Sequence, residues 1–188
     1  MYFTIKTLIY FKKQKTVVVF TASKLFVIGG VANGTISLNT GESLNYIQTS
    51  SNTSRNWTVI APMTVTRGFA AGALLPDGIT ILVVGGNTGG NIDSSCELYN
   101  TTHNTWSSCP SLPRGSRQAH SAVVYRGRVV VLGGYNGVYL ETCEQYEHAY
   151  RTWTDFPPFN LAREKFGSAV VRGKIYIAGV REHKRLIL

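Results

Sequence analysis

An apolar strand ending in Gly-Gly occurs three times in this chain, at Gly29-Gly30, Gly85-Gly86 and Gly133-Gly134, and the run from Lys174 to Gly179 starts a fourth copy. The recurrence, at roughly fifty residues, is the spacing of four-stranded units stacked in an array. A unit in such an array buries its apolar faces only on its neighbours, so the repeat governs every other reading of the chain.

The second and third copies align along their whole length. Leu82-Val83-Val84-Gly85-Gly86 is followed by Cys96-Glu97-Leu98-Tyr99, then six residues to Trp106, then Pro110 and Arg117. Val130-Val131-Leu132-Gly133-Gly134 is followed by Cys143-Glu144-Gln145-Tyr146, six residues to Trp153, then Pro158 and Arg163. The first copy has Gly29-Gly30 and Trp57, but ten residues instead of six separate Tyr46 from that Trp, which predicts a lengthened turn. In the fourth, Gly179 is followed by Val180 and the second Gly is lost.

Strand chemistry fits stacked antiparallel blades. The segments Phe69-Ala70-Ala71-Gly72-Ala73, Ala119-His120-Ser121-Ala122-Val123 and Phe166-Gly167-Ser168-Ala169-Val170 are small and apolar, as suits an innermost strand where blades converge. The strand that follows is nearly continuous in Val, Ile and Leu, as expected where both faces are covered. Pro76-Asp77-Gly78, Arg126-Gly127 and Arg172-Gly173 mark the turns between the two. Helical periodicity is absent.

Over about residues 16 to 180 the pattern resembles the kelch repeat: a double Gly after the second strand, a Tyr and a Trp separated by six residues, and an Arg before the next strand. The resemblance implies an all-β fold, a kelch-type β-propeller segment of four-stranded antiparallel blades in an incomplete ring. Blades are expected at about 16-60, 66-109 and 117-156 with a half blade at 163-179, between a basic and apolar extension at 1-15 and a basic tail at 181-188. Gly29, Gly30, Gly85, Gly86, Gly133, Gly134, Tyr99, Trp106, Tyr146, Trp153, Arg67, Arg117 and Arg163 are then residues of the repeat. Glu97 and Glu144 repeat at one blade position. An open arc of this kind is expected to be marginal as a monomer unless a longer chain or a partner chain supplies further blades.

With 44% hydrophobic residues in 188, the chain can bury a substantial core. No apolar stretch is long enough to span a bilayer. Tyr2 to Phe11 reads as an extra strand or tail in preference to a signal segment, because Lys6 interrupts it and no basic region precedes it. Of the +9 formal charge, Lys6, Lys12, Lys13, Lys15 and Lys24 supply +5 and Arg181, Glu182, Lys184 and Arg185 a further +2, leaving +2 for the repeats. Charge concentrated toward the ends, with no aromatic-interleaved basic stripe in the blades, argues against nucleic-acid binding.

Pairing Tyr99 with Trp106 across a hairpin places Cys96 opposite Cys109, close enough for a disulfide. Cys143 in the same register faces Phe156, so the repeat itself does not call for a bridge, and three cysteines leave one unpaired. Sequons stand at Asn33, Asn52, Asn56 and Asn100, where about two would arise by chance. These features keep an extracellular location open beside the cytoplasmic one.

Antiparallel blades put the second-to-third-strand loops on the same face as the connections between blades. In proteins similar to this one that face commonly holds a peptide or partner protein, and exposed Tyr and Arg are the residue types that anchor such contacts. Tyr135, Asn136, Tyr139, Asn87, Arg114 and Lys165 are the candidate partner-binding residues. His120, on an inner strand, is expected to line the channel. No cofactor is expected: His103, His120, His148 and His183 lack metal-ligand spacing, and no phosphate loop, nucleophile elbow or carboxylate pair is present. The sequence therefore reads as a non-enzymatic interaction scaffold. The resemblance further implies substrate recognition in a ubiquitin-ligase adaptor joined to a BTB domain, or actin association, although this sequence has no BTB region. The alternative is a secreted or surface enzyme or carbohydrate-recognition module.

Overall fold

A computed structural model describes residues 13–46 and 57–179. The extension before Lys13, the turn expected between Tyr46 and Trp57 with its sequons at Asn52 and Asn56, and the tail after Gly179 lie outside the described residues. The strands in chain order are β1 (Lys13–Gln14), β2 (Val17–Phe20), β3 (Lys24–Ile28), β4 (Val31–Ala32), β5 (Ile36–Ser37), β6 (Gly41–Asn45), β7 (Trp57–Ile60), β8 (Ala71–Leu74), β9 (Thr80–Val84), β10 (Cys96–Asn100), β11 (Thr105–Cys109), β12 (Ser121–Tyr125), β13 (Arg128–Tyr135), β14 (Tyr139–Glu147), β15 (Thr152–Phe156), β16 (Gly167–Val171) and β17 (Lys174–Ala178). They form three four-stranded antiparallel sheets, β2-β3-β6-β7, β8-β9-β10-β11 and β12-β13-β14-β15, then the β16-β17 hairpin and a small β1-β4-β5 sheet. The described residues contain no helix, and the sheets do not close a ring.

Each short hairpin between the first two strands has a local cause. At Arg126-Gly127 both residues take positive φ, 49° and 79°, and at Arg172-Gly173 50° and 70°, the paired left-handed geometry of a tight two-residue turn. At the equivalent turn of the second blade, Asp77 Oδ1 accepts from the Ile79 and Thr80 N–H groups.

The core lies between blades. Val17, Val19, Phe26, Ile28, Ile60 and Met63 of the first blade pack on Ile81, Val83 and Tyr99 of the second. Leu82, Val84 and Leu98 on its other face meet Val129, Val131 and Tyr146 of the third. Ile81 to Val84 are consequently 0% exposed, which is why that strand has no polar alternation. Each recurring tryptophan ties its outer strand to the preceding blade: Trp106 donates to the Ala61 carbonyl and Trp153 to the Pro110 carbonyl, both at 2.7 Å. Cys96 and Cys109 pair in register, and a disulfide joins them with Cα atoms 5.1 Å apart.

The double glycine is where one blade meets the approach to the next. The N–H groups of Gly30, Gly86 and Gly134 donate to the carbonyls of Arg67, Arg117 and Arg163 at 2.7, 2.9 and 2.8 Å. Gly85 and Gly86 have φ of 65° and 100°, and a Cβ on Gly85 would stand 2.6 Å from the Arg117 carbonyl oxygen. Any side chain would therefore collide with backbone that cannot move away.

With its carbonyl held, the arginine turns its side chain under its own blade. Arg67 is 1% exposed and donates to Gly85 O at 2.9 Å, Asp93 Oδ2 at 2.9 Å and Glu97 Oε1 at 3.1 Å. Glu97 Oε2 in turn holds the Thr64 N–H at 2.8 Å. Arg117 and Glu144, both 0% exposed, repeat the pairing, with the Arg117 guanidinium also on the carbonyls of Gly133 and Thr142 at 3.0 Å. Glu144 Oε1 accepts the Arg114 N–H at 3.0 Å. Each carboxylate thus links the connection entering a blade to that blade's third strand.

His120 does not line the channel as the sequence suggests; it is 7% exposed and wedged between two Gly-Gly pairs. A Cβ on Gly85 would stand 2.8 Å from its ring, and a Cβ on Gly134 2.8 Å from its own Cβ. The space left by absent glycine side chains accommodates the imidazole. Neither ring nitrogen meets the geometry of a hydrogen bond. Burial, reinforced by the Arg117 and Arg67 charges and opposed by the Val84 backbone, lowers its pKa to about 3.

Two outcomes follow for denaturant unfolding. Glu144→Gln leaves the Arg117 charge buried without its counterion and is expected to cost about 3–5 kcal/mol, whereas the double change Arg117→Met with Glu144→Leu removes the buried charge and recovers part of that loss, the carbonyls of Gly133 and Thr142 being left without the guanidinium. A single change as mild as an exposed surface substitution would refute the role of the pair. In the unfolded chain His120 takes up a proton near pH 6.5, while the folded site refuses it until about 3, so stability is full above pH 6.5 and falls on acidification. The loss attributable to His120 at pH 5 is about 2 kcal/mol, and His120→Ala, which copies Ala70 of the second blade, flattens the slope between pH 7 and 5; an unchanged slope would contradict this assignment.

Candidate binding face

The connections into the inner strands and the loops that follow each Gly-Gly pair share one face. Two residues before each inner strand stands a residue in left-handed conformation: Lys15, Phe69, Ala119 and Lys165, with φ of 61°, 57°, 53° and 53°. Their backbones form a ladder across the blades. Phe69 N–H donates to Lys15 O at 3.1 Å, Ala119 N–H to Phe69 O at 2.8 Å and Lys165 N–H to Ala119 O at 2.8 Å. Every conformation that would release one of these N–H groups gives up a bond of the ladder, so the ladder holds these left-handed residues without glycine.

The loop after each Gly-Gly is sewn to the next connection. Asn87 and Gly68 exchange backbone hydrogen bonds at 2.6 and 2.8 Å, and Tyr135 and Gln118 do so at 2.9 and 3.0 Å. Asn87 and Tyr135 therefore occupy one repeat position on two blades. In the third blade the long strands β13 and β14 extend past the sheet, setting Tyr135 opposite Tyr139 with ring centroids 5.7 Å apart at 63°. Beside them a concavity of about 290 Å³ opens. Its floor is the ladder at Phe69, Ala119 and Lys165, and its walls are the two tyrosines, Gln118 and Glu164. The Gln118 Oε1 atom is buried there without a hydrogen-bond partner, and Lys165 Nζ lies 2.9 Å from Glu164 Oε1.

Of the six candidate residues, the concavity gathers Tyr135, Tyr139 and Lys165. Asn136 is exposed at the tip of the same loop, with its side-chain oxygen accepting from Val138 N–H at 3.4 Å. Asn87 on the neighbouring blade uses its side chain to cap its own loop, accepting from Gly89 and Gly90 at 2.9 and 3.0 Å. Arg114 stands elsewhere, in a two-pronged pair with Asp155 of the outer strand β15 at 2.6 Å. Sequence reasoning missed Phe69, Gln118 and Glu164, which carry no motif. Their signal is positional, two or three residues before each inner strand.

Aromatic walls, an acceptor awaiting a donor and an ion pair with an exposed lysine suit an extended peptide with polar backbone and mixed side chains. Among the described residues no group of three His, Cys, Asp or Glu side chains could hold a metal ion.

Comparison with known proteins places this geometry in a family. Residues 7–180 match the model of the KLHDC2/KLHL20/DRC7 Kelch-repeats domain. Kelch domain-containing protein 10 of Xenopus laevis is 36% identical over 72 residues, covering 34% of this chain and 18% of that protein. The solved structure titled "Structure of YjhT" superposes with a TM-score of 0.72 at 13% identity, over 89% of this chain and 57% of that one, a likeness of fold. This chain therefore spans about a fifth of the Xenopus relative and little more than half of the solved propeller. With the family model covering all the repeats, the chain belongs to the KLHDC2/KLHL20/DRC7 Kelch-repeats domain family.

Proposed function

We propose that the chain is a protein-interaction scaffold that holds an extended peptide or protein loop on the face carrying Tyr135 and Tyr139. The observation that supports this reading most is the concavity itself, where two exposed or half-buried tyrosines stand on a backbone ladder that fixes their position. A rigid aromatic pair gives contact area at little entropic cost. The role is consistent with the family, whose domains generally bind proteins. Its finer form, proposed on that ground alone, is substrate recognition for a ubiquitin ligase or association with actin in the cytoplasm, without catalysis.

In affinity capture followed by quantitative binding, the double change Tyr135→Ala with Tyr139→Ala is expected to weaken the captured partner by about tenfold or more. Arg114→Ala, at the outer strand, leaves that affinity unchanged. Equal losses for both, or none for the tyrosines, would sink the assignment of the face. Co-purification of a cullin separates the ligase reading from the actin one.

A second reading, a secreted or surface recognition module, is favoured by the Cys96–Cys109 disulfide together with the exposed sequon at Asn33, since such bridges persist in oxidising compartments. Non-reducing mass spectrometry of the protein from its own cells decides between the two readings. The secreted reading expects a Cys96–Cys109 linked peptide and a glycan on Asn33; three free thiols and an unmodified asparagine eliminate it.

A further inference from the structure

The concavity beside Tyr135 and Tyr139 is small and one-sided in its chemistry. At about 290 Å³ it lies at the lower end of ligand pockets, with room for one long side chain. Its backbone donors are already spent. The Phe69, Ala119 and Lys165 N–H groups belong to the ladder, and the N–H groups of Gln118 and Tyr135 each donate to the other residue's carbonyl. What the recess offers instead is oxygen: Gln118 Oε1, buried without a donor, and the Glu164 carboxylate.

Glu164 and Lys165 share their ion pair unequally. The lysine Nζ lies 2.9 Å from Glu164 Oε1, yet the glutamate side chain is 15% exposed and the lysine 64%. The anion is held in the recess, and the cation reaches it from the rim on a flexible stem. That leaves the second carboxylate oxygen, Oε2, to serve another donor.

Aromatic surface stands beside these oxygens. Tyr135 and Tyr139 meet edge to face with ring centroids 5.7 Å apart, and Tyr139 is 38% exposed. On the floor, Phe69 already carries a cation on its ring, with Lys15 Nζ 3.9 Å from the centroid. This face therefore accommodates positive charge on π surface as well as on a carboxylate.

Recessed acceptors, a fixed carboxylate and exposed ring surface are the complement of a guanidinium. Its planar fork carries five N–H donors and no acceptor, enough to serve Gln118 Oε1 and Glu164 Oε2 together, and its flat faces stack on aromatic rings. An ammonium is a compact, strongly hydrated point charge without that flat face. A carboxylate would add a further acceptor to a recess whose acceptors already lack donors. We propose, on the reading of this face as a peptide-binding one, that the concavity is a specificity pocket for an arginine side chain of the bound peptide. The guanidinium donates to Gln118 and Glu164 and lies against the tyrosine pair, which fixes the register of the extended peptide over the ladder.

The probes are fluorescein-labelled octapeptide pools, each with one fixed central residue and neighbours randomised among Ala, Ser, Thr, Leu and Tyr. They are titrated against the full chain by fluorescence anisotropy. The arginine pool is expected to bind about tenfold more tightly than a citrulline pool, which keeps the shape of arginine without its charge, and more tightly than the lysine, leucine and glutamate pools. Glu164→Gln and Gln118→Leu each weaken the arginine pool by about tenfold, and Glu164→Lys moves the preference to glutamate, with circular dichroism verifying the fold of each variant. The citrulline comparison leaves the protein untouched and decides the matter even if a variant fails to fold. Equal binding of the arginine and citrulline pools, or an arginine preference that Glu164→Gln does not reduce, overturns the proposal. Where another pool binds best and the double change Tyr135→Ala with Tyr139→Ala abolishes it, the arginine pocket falls and the peptide-binding face stands. Where no pool depends on the tyrosines, both fall.

Discussion

The contact that organises this molecule is the close approach of each Gly-Gly pair to the carbonyl of an arginine entering the next blade. At Gly85 the clearance leaves no room for a methyl group, and the Gly86 N–H takes the Arg117 carbonyl as its acceptor. Everything nearby inherits its position from this crossing. The arginine's backbone is fixed against the preceding blade, so its side chain can reach only its own blade's floor, where Glu144 waits on the third strand. A buried ion pair is costly to desolvate, and it persists here because the guanidinium also satisfies the carbonyls of Gly133 and Thr142. The blade-to-blade angle is therefore set by backbone crossing and charge pairing, while the Val and Ile faces between blades supply the driving force.

The candidate binding face is a by-product of the same arrangement. Because the connection after each crossing pairs with its neighbour through left-handed residues, the floor beneath Tyr135 and Tyr139 is a row of backbone hydrogen bonds instead of a flexible loop. The third blade differs from the second in how far its strands continue: β13 runs through the glycines to Tyr135, while β9 stops at Val84. Its loop consequently rises as a stiff two-stranded projection, whereas the Asn87 loop folds back on its own side chain. Two loops at one repeat position thus offer different surfaces without any change in the blade below.

Most of the architecture is legible in the sequence because the residues that set it are those that cannot be substituted freely. Glycine at a crossing, an indole donating to a carbonyl, and an arginine that must be buried each leave a recurring letter. What is not legible depends on backbone conformation held by context. Phe69, Ala119 and Lys165 share one left-handed geometry and have no chemistry in common, so nothing marks them as equivalent. Arg67 with Glu97, and Arg117 with Glu144, repeat visibly, yet only the fold shows that each pair is one interaction. His120 misleads for a related reason. Its place on an inner strand suggests the channel, but the glycines beside it open an enclosed space that the sequence records only as missing side chains. Variation within the repeat is likewise paired: Asn104 Oδ1 takes both the Tyr99 hydroxyl and the Ala61 N–H at 2.8 Å. In the next blade Arg151 replaces that Asn and Pro110 has no N–H to offer, leaving the Tyr146 hydroxyl without a partner.

The cysteines show how one repeat position accepts two solutions. Cys96 and Cys143 hold the same place on the third strand, facing Cys109 and Phe156 respectively. In the second blade the bridge ties the outer strand to the one carrying Glu97, next to the pair that anchors Arg67. In the third blade that covalent tie is absent. The Phe156 ring packs into the cluster toward the fourth unit, while Arg114 grips Asp155 and Arg151 reaches back to the Ser108 carbonyl at 2.6 Å. A phenylalanine cannot cross-link, but it can bury apolar area on a neighbour, and this one has a neighbour in the β16-β17 hairpin. The exchange of a bridge for an aromatic ring therefore moves stabilisation from within a blade to the boundary between blades. That shift makes the outer strand of the third blade depend on its packing against Phe166 and Ile175 of the fourth unit.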